Sequence, residues 1–480
     1  MPQAAAAPTL YAPAPSPSPS PSLAASSPSP SFASSPVPRV ADSDRRRTSA
    51  SVVLRSVLEH GPVARSNIAR VTGLSPASVT DYCARFAGLG LIRETEPPRR
   101  TKGTGRPHVP LDLDDSRFLV GGVHVAVPYT TVALLDLRGR VVEERRLKHD
   151  STDPAPVLAR AADELRALLD AAPDCRPLAV GFAAGGWVDR ESGTVVEHPL
   201  LGWREVPVRE ILRARTGLPV HVDGHARALV SAEQLYGRAR GSRSVLHLFV
   251  GNMVDAAFAT NDEVHHGPRS QAGAIAHLPL PGGTEACACG RTGCLQAELS
   301  ELTLCRRARA AGVIDGSNPM RVLEAAADGD TVAAGLLVER ARLVGRAVEL
   351  LLDVLNPETV VVTEVGIIGR EDCLAALRET VGPDRAAAVG PTSFPDSVLA
   401  AAGGAVALDV LYRDPLGPSP VSTVLPPRPV NSETPNVDRQ YRRPGTSYSC
   451  CSRVVAPSVA DTLTFRSALR APTDAALPPA

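Results

Sequence analysis

Four residues in one short stretch are of types that bind metal: His277, Cys287, Cys289 and Cys294. Their intervals are ten, two and five residues. Imidazole and thiolate are the ligands of tetrahedral zinc, and four of them leave no open position, so the expected site is structural rather than catalytic. Gly290 and Gly293 lie between the thiols and permit the tight turns that bring three sulfurs to one ion. Reduced, unliganded thiols in a loop are the alternative. Cys83, Cys175, Cys305 and Cys373 read as small core residues. Cys450-Cys451 reads as an incidental pair. Nine cysteines, an odd number over 480 residues, do not make a disulfide framework, so a cytoplasmic protein is expected. His265-His266 stands beside a Gly-Pro turn and is expected to face solvent.

A second group has the chemistry of base recognition. Ser75, Ala77, Ser78, Thr80 and Asp81 are small or polar enough to reach base edges in a major groove. Asp81 repels phosphate but can accept from a cytosine amine. Arg70, Arg85 and Arg47, with Arg45 and Arg46, are suited to phosphate contacts. The stretch Arg99-Arg100-Thr101-Lys102-Gly103-Thr104-Gly105-Arg106-Pro107 has the charge and flexibility to enter a minor groove or follow the backbone. From Arg45 to Pro110 twelve basic residues face four acidic ones, in a chain whose 51 basic and 51 acidic residues cancel. One basic segment on an acidic body is the footprint of a polyanion binder. The alternative is a three-helix protein-interaction unit with a solvated basic face.

The elements that must position these residues are legible in the pattern. Val52, Val53, Leu54, Val57 and Leu58 mark one amphipathic helix, ended by Gly61-Pro62. Val63, Ile68, Ala69 and Val71 mark a short second one, broken at Gly73. Ser75 caps a third with Pro76 at its first position, and Val79, Tyr82, Cys83, Phe86 and Leu89 form its apolar face up to Gly90. Leu91-Ile92 and the charged residues after it read as a β-wing. This order is a helix-turn-helix, in which the third helix enters the groove. From Phe118 the texture changes to α/β. Strand-like runs at 118–123, 131–137, 178–182, 245–250 and 359–363 alternate with helical stretches at 156–171, 226–236 and 341–355. Arg138-Gly139-Arg140 reads as a hairpin turn.

Prolines number eleven in residues 1–38 and twelve in residues 414–480; both segments are expected to be disordered. No run of ~18 apolar residues exists, so no membrane helix is expected, and the N-terminus has no secretory pattern. The expected organisation is a disordered segment 1–44, a winged helix-turn-helix DNA-binding domain 45–112, an effector and dimerisation domain 113–413, and a disordered tail 414–480.

The helix-turn-helix, the Gly105-Arg106-Pro107 wing and the His277…Cys287-x-Cys289-Gly290-x-x-Gly293-Cys294 motif together resemble the ROK family (repressors, open reading frames, kinases), in its repressor branch. Gly122-Val123, Asp136-Leu137-Arg138-Gly139-Arg140 and Gly202-Trp203-Arg204-Glu205-Val206-Pro207 fit the same pattern, over about residues 48–412. The resemblance implies a two-lobed, actin-like (ribonuclease H-like) sugar-kinase fold behind the winged helix-turn-helix. Family kinases pass the γ-phosphate of ATP to a sugar, which needs Gly-rich phosphate loops and a carboxylate base. Here the first loop carries His124, Ala126, Val127 and Pro128. The second is Gly251-Asn252-Met253-Val254-Asp255. The third has Thr363-Glu364 in place of a Gly pair. The family's Asn-Asp matches Gly224-His225, Gly273-Ala274-Ile275-Ala276-His277 lacks its glutamate, and Gln296 and Leu200 replace two further sugar contacts. Gly186, with Gly185 before it, matches the cleft loop. The residues left to line a ligand cleft are therefore His225, Gly186 and His277.

These departures spare the DNA and metal residues and strip the kinase machinery. The expected protein is a DNA-binding transcriptional regulator, a repressor of carbohydrate-related genes, with a catalytically inactive sugar-kinase-like domain. Its expected partners are double-stranded DNA, a small-molecule effector (a sugar or something unrelated) and further copies of itself as a dimer or tetramer. Structural zinc is the expected cofactor, with no ATP. The alternatives are a sugar kinase, or a relative of altered chemistry acting on a small carbohydrate, and a non-functional relic.

Overall fold

In the computed structural model, which describes residues 48–96 and 109–417, Thr48 opens the first helix: its Oγ1 accepts the Ser51 N–H at 3.1 Å. Helix α1 (Ser49–His60) follows, then α2 (Arg65–Thr72), ended by Gly73 in the left-handed region. Ser75 caps α3 (Pro76–Leu89) by accepting the Ser78 N–H at 3.1 Å, and Gly90 ends it. Strand β1 (Ile92–Glu94) pairs antiparallel with β2 (Leu111–Leu113). The expected wing stretch, Arg99 to Pro107, lies outside the described residues, as do Arg45, Arg46, Arg47, Cys450-Cys451, the whole of the segment 1–44 and residues 418–480 of the tail. Val53, Leu54, Val57, Ile68, Val79, Cys83 and Phe86 are buried together. Val71, expected among them, is 50% exposed. Helix α2 is two turns long and turns only Ile68 fully inward.

Two five-stranded sheets follow the same plan. In the first, β3 (Phe118–Val125), β4 (Tyr129–Leu135) and β5 (Val141–Lys148) form an antiparallel meander. The Asp136 carboxylate accepts the N–H groups of Arg138 and Arg140 at 2.8 and 2.9 Å, which fixes the β4–β5 turn with Gly139 at φ +74°. Helix α4 (Pro154–Asp170) leads to β6 (Arg176–Ala184), parallel to β3. A three-stranded ribbon, β7 (Trp187–Asp189), β8 (Thr194–His198) and β9 (Trp203–Val206), precedes α5 (Val208–Thr216). Strand β10 (Val220–Gly224) completes the sheet order β10-β6-β3-β4-β5 and runs into α6 (His225–Leu235).

The second sheet repeats this with β11 (Ser244–Val250), β12 (Val254–Thr260) and β13 (Glu263–Val264) as meander. Helices α7 (Leu295–Leu299), α8 (Glu301–Ala310), α9 (Pro319–Ala327) and α10 (Thr331–Leu355) precede β14 (Thr359–Glu364). Helices α11 (Val365–Gly369), α12 (Glu371–Val381) and α13 (Pro383–Ala386) lead to β15 (Val389–Pro391), giving the order β13-β12-β11-β14-β15. Each strand run and helical stretch expected from the pattern is present, with ends moved by a few residues and α10 extended at its N-terminus. No helix among the described residues is long and apolar enough to cross a membrane.

The last helix, α14 (Val398–Arg413), returns to the first sheet. Its approach is to backbone contact. A Cβ on Gly181 would lie 2.1 Å from the Gly403 carbonyl oxygen, and one on Gly403 would lie 2.8 Å from the Val123 nitrogen. At its far end Tyr412 is fully buried, donates its hydroxyl to the Leu137 carbonyl at 2.6 Å, and accepts from Ser51 Oγ of α1 at 2.5 Å through its own carbonyl. Val53, Leu54 and Phe86 share one apolar cluster with Leu135, Leu408, Leu411 and Tyr412. The three-helix unit is thus packed on the first sheet by way of α14. Residues 414–417, at the start of the expected tail, continue as a turn with Leu416 against that cluster.

Gly181→Val should force α14 off the sheet and cost about 3 kcal/mol, the scale of overpacking a tight core. Thermal denaturation checks this; an unchanged midpoint would mean that the helix has slack the geometry does not show.

Candidate functional site

The His277, Cys287, Cys289 and Cys294 side chains converge, with their ligand atoms all within 4.8 Å of one another. Cys289 Sγ and Cys294 Sγ are 3.7 Å apart, and Cys287 Sγ is 3.6 Å from His277 Nδ1. Ligands on a tetrahedral zinc, ~2.3 Å away for sulfur and ~2.0 Å for nitrogen, lie about 3.8 Å apart for a sulfur pair and about 3.6 Å apart for sulfur and nitrogen. Both measured separations fit those edges. The loop is a set of tight turns: Cys287 N–H donates to the Arg291 carbonyl and Gly290 N–H to the Cys287 carbonyl, with Gly290 and Gly293 at positive φ. Hydrogen bonds from Arg291 hold the Cys289 thiol down to about 6, whereas burial pushes Cys294 up to about 11. One thiol is therefore poised as a ligand, and the other would have to surrender its proton to bind a metal. Cys294 is also the N-cap of α7, whose Leu295 and Leu299 lie in the apolar cluster of the second sheet, so the loop is tied to that core.

Glu298 completes the loop. It is buried, accepts the N–H groups of Thr284 and Glu285 at 2.5 and 2.6 Å, and pairs with Arg307 at 3.4 Å. Sequence reasoning missed it because nothing in a single helical glutamate reveals that it turns back on a preceding loop.

The cleft residues are also brought together. His225 is the first residue of α6, where β10 ends. Its ring stacks on His124 of β3, with centroids 5.6 Å apart, and the two rings approach nitrogen to nitrogen at 3.4 Å. His225 Nε2 lies 3.0 Å from Asp255 Oδ2, which also accepts the Gly186 N–H at 3.3 Å. Phe249 packs at 4.0 Å from the His225 ring, and a Cβ on Gly185 would lie 3.0 Å from Met253 Cγ. Burial and the neighbouring His225 hold His124 well below its ordinary range, and hold His198 at about 4. Asn252 donates to the Val127 carbonyl at 2.8 Å across the cleft. Gln296 accepts the Val254 N–H at 2.9 Å and donates to the Asn252 carbonyl at 2.6 Å, a double role that a carboxylate cannot fill. Both nitrogens of His225 are thereby engaged. His277, expected both in this cleft and at the metal, is placed with the thiols.

At the third loop Glu364 caps α11 by accepting the Ile367 N–H at 2.7 Å, and forms an ion pair with Arg340 of α10. Both are buried. Arg340 further donates to the Leu299 and Val250 carbonyls at 2.9 and 3.3 Å. A protein carboxylate thus stands at the backbone N–H groups where an anion would be cradled. The signal was present in the sequence: Arg340 interrupts the buried series Leu337, Ala341, Val344 and Val348 of α10, and a charge in such a series needs a partner.

On the three-helix unit, Ser75, Ala77, Thr80, Asp81, Arg85 and Arg70 are exposed and Ser78 is half-buried. Ser75 and Ser78 share a hydrogen bond at 2.9 Å, and Thr80 donates to the Pro76 carbonyl at 2.8 Å. Arg55, in contrast, is turned to the body, where it meets Asp262 at 3.7 Å. Of His265-His266, His265 is exposed as expected and stacks on Phe258, whereas His266 is a correction: it is half-buried, 3.3 Å from Asp223 and 3.1 Å from Arg190.

Cys289→Ser should lower both zinc content and the thermal midpoint; metal analysis and melting that match the parent would remove the site. Glu364→Ala should cost about 3–5 kcal/mol, because it leaves the buried Arg340 charge without its contacting carboxylate, while Arg340→Met with Glu364→Leu should cost much less. Denaturant unfolding of the single and double variants checks this, and equal losses would sink it.

A model described as the ROK family matches residues 120–402. A transcriptional regulator of Mycobacterium tuberculosis is 33% identical over 387 residues, spanning 77% of this chain and 87% of its own length. The xylose repressor of Caldicellulosiruptor bescii is 27% identical, over 69% of this chain and 86% of its own. The crystal structure of a ROK family transcriptional regulator, described as a homologue of the Escherichia coli MLC protein, superimposes with a TM-score of 0.65 at 23% identity. It covers 78% of this chain and 98% of that one, a likeness of fold. The chain belongs to the ROK family.

Proposed function

We propose that this protein is a DNA-binding transcriptional regulator, a repressor of carbohydrate-related genes, whose sugar-kinase-like body has lost phosphoryl transfer. The observation that carries the loss is the buried Arg340–Glu364 pair at the third phosphate loop. Met253 and the His225–Asp255 contact add to it by filling the cleft. The resident carboxylate fills the space of an anion and already holds the Ile367 N–H. The relatives named as a transcriptional regulator and a xylose repressor support the regulator half of the reading.

In this reading residues 45–112 form a winged helix-turn-helix and residues 113–413 form the effector and dimerisation domain. Helix α3 enters the major groove with Ser75, Ala77, Ser78, Thr80 and Asp81 toward the bases. Arg70, Arg85 and Arg47 contact phosphates. A dimer presents two such helices to a pseudo-palindromic site. Zinc at His277, Cys287, Cys289 and Cys294 is structural, and the protein works in the cytoplasm without ATP. Thr80, whose hydroxyl donates to the Pro76 carbonyl, keeps lone pairs that suit it to accept from an exocyclic amine.

Selection of bound fragments from genomic DNA should return one palindromic motif. Thr80→Val should relax base preference by about 1–3 kcal/mol at one position, whereas Arg85→Ala should weaken binding to all sequences and flatten its salt dependence. Equal effects of both on specific and random DNA would refute the assignment of α3. Saturable ATP binding by calorimetry would refute the loss of the nucleotide site.

A further inference from the structure

Strand β10 is the edge of the first sheet, and its side chains alternate between two faces. Val220 and Val222 belong to the apolar core with α4 and α5. His221 and Asp223 line a cavity of about 60 Å³, together with Ser231 of α6, Asp409 of α14, Arg190 and Arg209. A buried water takes ~10–15 Å³ of such space, so several waters fit, or one tetrahedral oxyanion with a water beside it.

The charges are unevenly matched. Asp223 already accepts from Arg227 at 2.6 Å, and Asp409 from Arg413 at 2.7 Å. Arg190 reaches these two carboxylates only at 3.8 Å each. Arg209 donates to the carbonyls of Glu191 and Arg190 at 2.7 and 2.5 Å, which leaves its charge without a carboxylate at contact distance. The next carboxylate, Asp189, lies 3.9 Å from Arg269. His266 adds a third polar contact to Asp223. Four guanidinium groups therefore face two carboxylates at close range, with a third, Asp189, acting on Arg209 only through space. The Nε2 of His221 is buried with no hydrogen-bond partner. Burial, then Arg190 and Arg209, hold this ring at about 4, so it is neutral and can offer one N–H without adding charge. A polar void with surplus positive charge and an unsatisfied ring nitrogen is the environment of an anion.

We propose that this cavity is a binding site for a phosphate-class oxyanion, free or carried on a small molecule, held by Arg190, Arg209 and His221. The site lies across β10 from the core, apart from the His225–Asp255 cleft contact. Its position gives it a path to α1. Arg413 bridges Asp409 to the Asp262 carbonyl at 3.2 Å, and Asp262 meets Arg55 of α1 at 3.7 Å. An occupant that draws Arg190 from Asp409 acts on the first member of that series. The influence on DNA rests on the function proposed above; the binding itself does not.

Calorimetric titration of inorganic phosphate into the full-length protein, in phosphate-free buffer at constant ionic strength, tests the site. Saturable binding at one site per chain is expected. Arg209→Met and His221→Phe should each weaken it by about tenfold or more, a change of ~1.4 kcal/mol, and Arg145→Ala on the exposed face of β5 should leave it unchanged. Glycerol phosphate and sulfate are the parallel arms. Tighter binding of the monoester assigns the site to a carried phosphoryl group, and a preference for phosphate assigns it to the free ion. No saturable heat with any of the three up to about 10 mM would overturn the proposal. So would binding that persists in Arg209→Met and His221→Phe proteins that melt like the parent. Should Arg209→Met not fold, His221→Phe decides the matter alone.

Discussion

A helix can touch a sheet backbone to backbone only where no side chain intervenes, and the rest of this molecule hangs on one such contact. Gly122 and Gly181 on neighbouring strands face Gly403 and Gly404 on α14. Because α14 lies so close, its flanking residues reach three other bodies. Ala402 and Val406 join the small-residue cluster with Ala226, Ala228 and Leu229 of α6 and Ala257 of the second sheet. Leu408, Leu411 and Tyr412 join the core of the three-helix unit. Asp409 joins the polar cavity. One helix is therefore common to both sheets, to the helical unit and to the charged network. A change in its position cannot be confined to one of them, since close-packed interfaces shift between discrete arrangements rather than yielding gradually.

A second principle runs through the cleft: groups that a ligand would satisfy are satisfied from within. Glu364 takes the place of an external anion at α11, and Arg340 neutralises it. Asp255 takes up the Gly186 N–H and the His225 ring. Buried pairs of this kind add little net stability over well-packed apolar residues, because desolvation offsets most of the attraction. Their effect is on specificity. They fill sites that would otherwise recruit a ligand, and the Asp255 contacts also join the two sheets.

How far the sequence is readable depends on the span of each interaction. The thiol cluster is legible because all four ligands fall within a short loop and two glycines mark its turns. The capped helix at Ser75-Pro76 is legible for the same reason, its cap and stop being local. Strand and helix runs in the body are legible through periodicity, although their ends move when a cap such as Asp330 extends α10 beyond its most apolar portion. The Arg340–Glu364 pair lies 24 residues apart and crosses between elements, so only the misplaced charge hints at it. Glu298 turns back on a loop that a helix reading does not connect to it. The inward turn of His266 depends on Asp223, which lies 43 residues earlier. Docking of the helical unit on the body was not legible at all, because its closing hydrogen bond joins residues 361 positions apart.

That last separation has a consequence for the order in which the chain is made. The apolar cluster of α1 is completed by Leu408, Leu411 and Tyr412, and the residue that receives Ser51 is synthesised 361 positions later. At ~5–20 residues per second, a ribosome needs about 20 to 70 s to cover that distance. For that interval the first helices are outside the ribosome while the α14 part of the surface they bury against does not yet exist. Nascent and prematurely terminated chains therefore display an incomplete helical unit with its docking face uncovered. Assembly of the amino-terminal part is thereby made contingent on completion of the body, so the fold itself discriminates finished chains from unfinished ones.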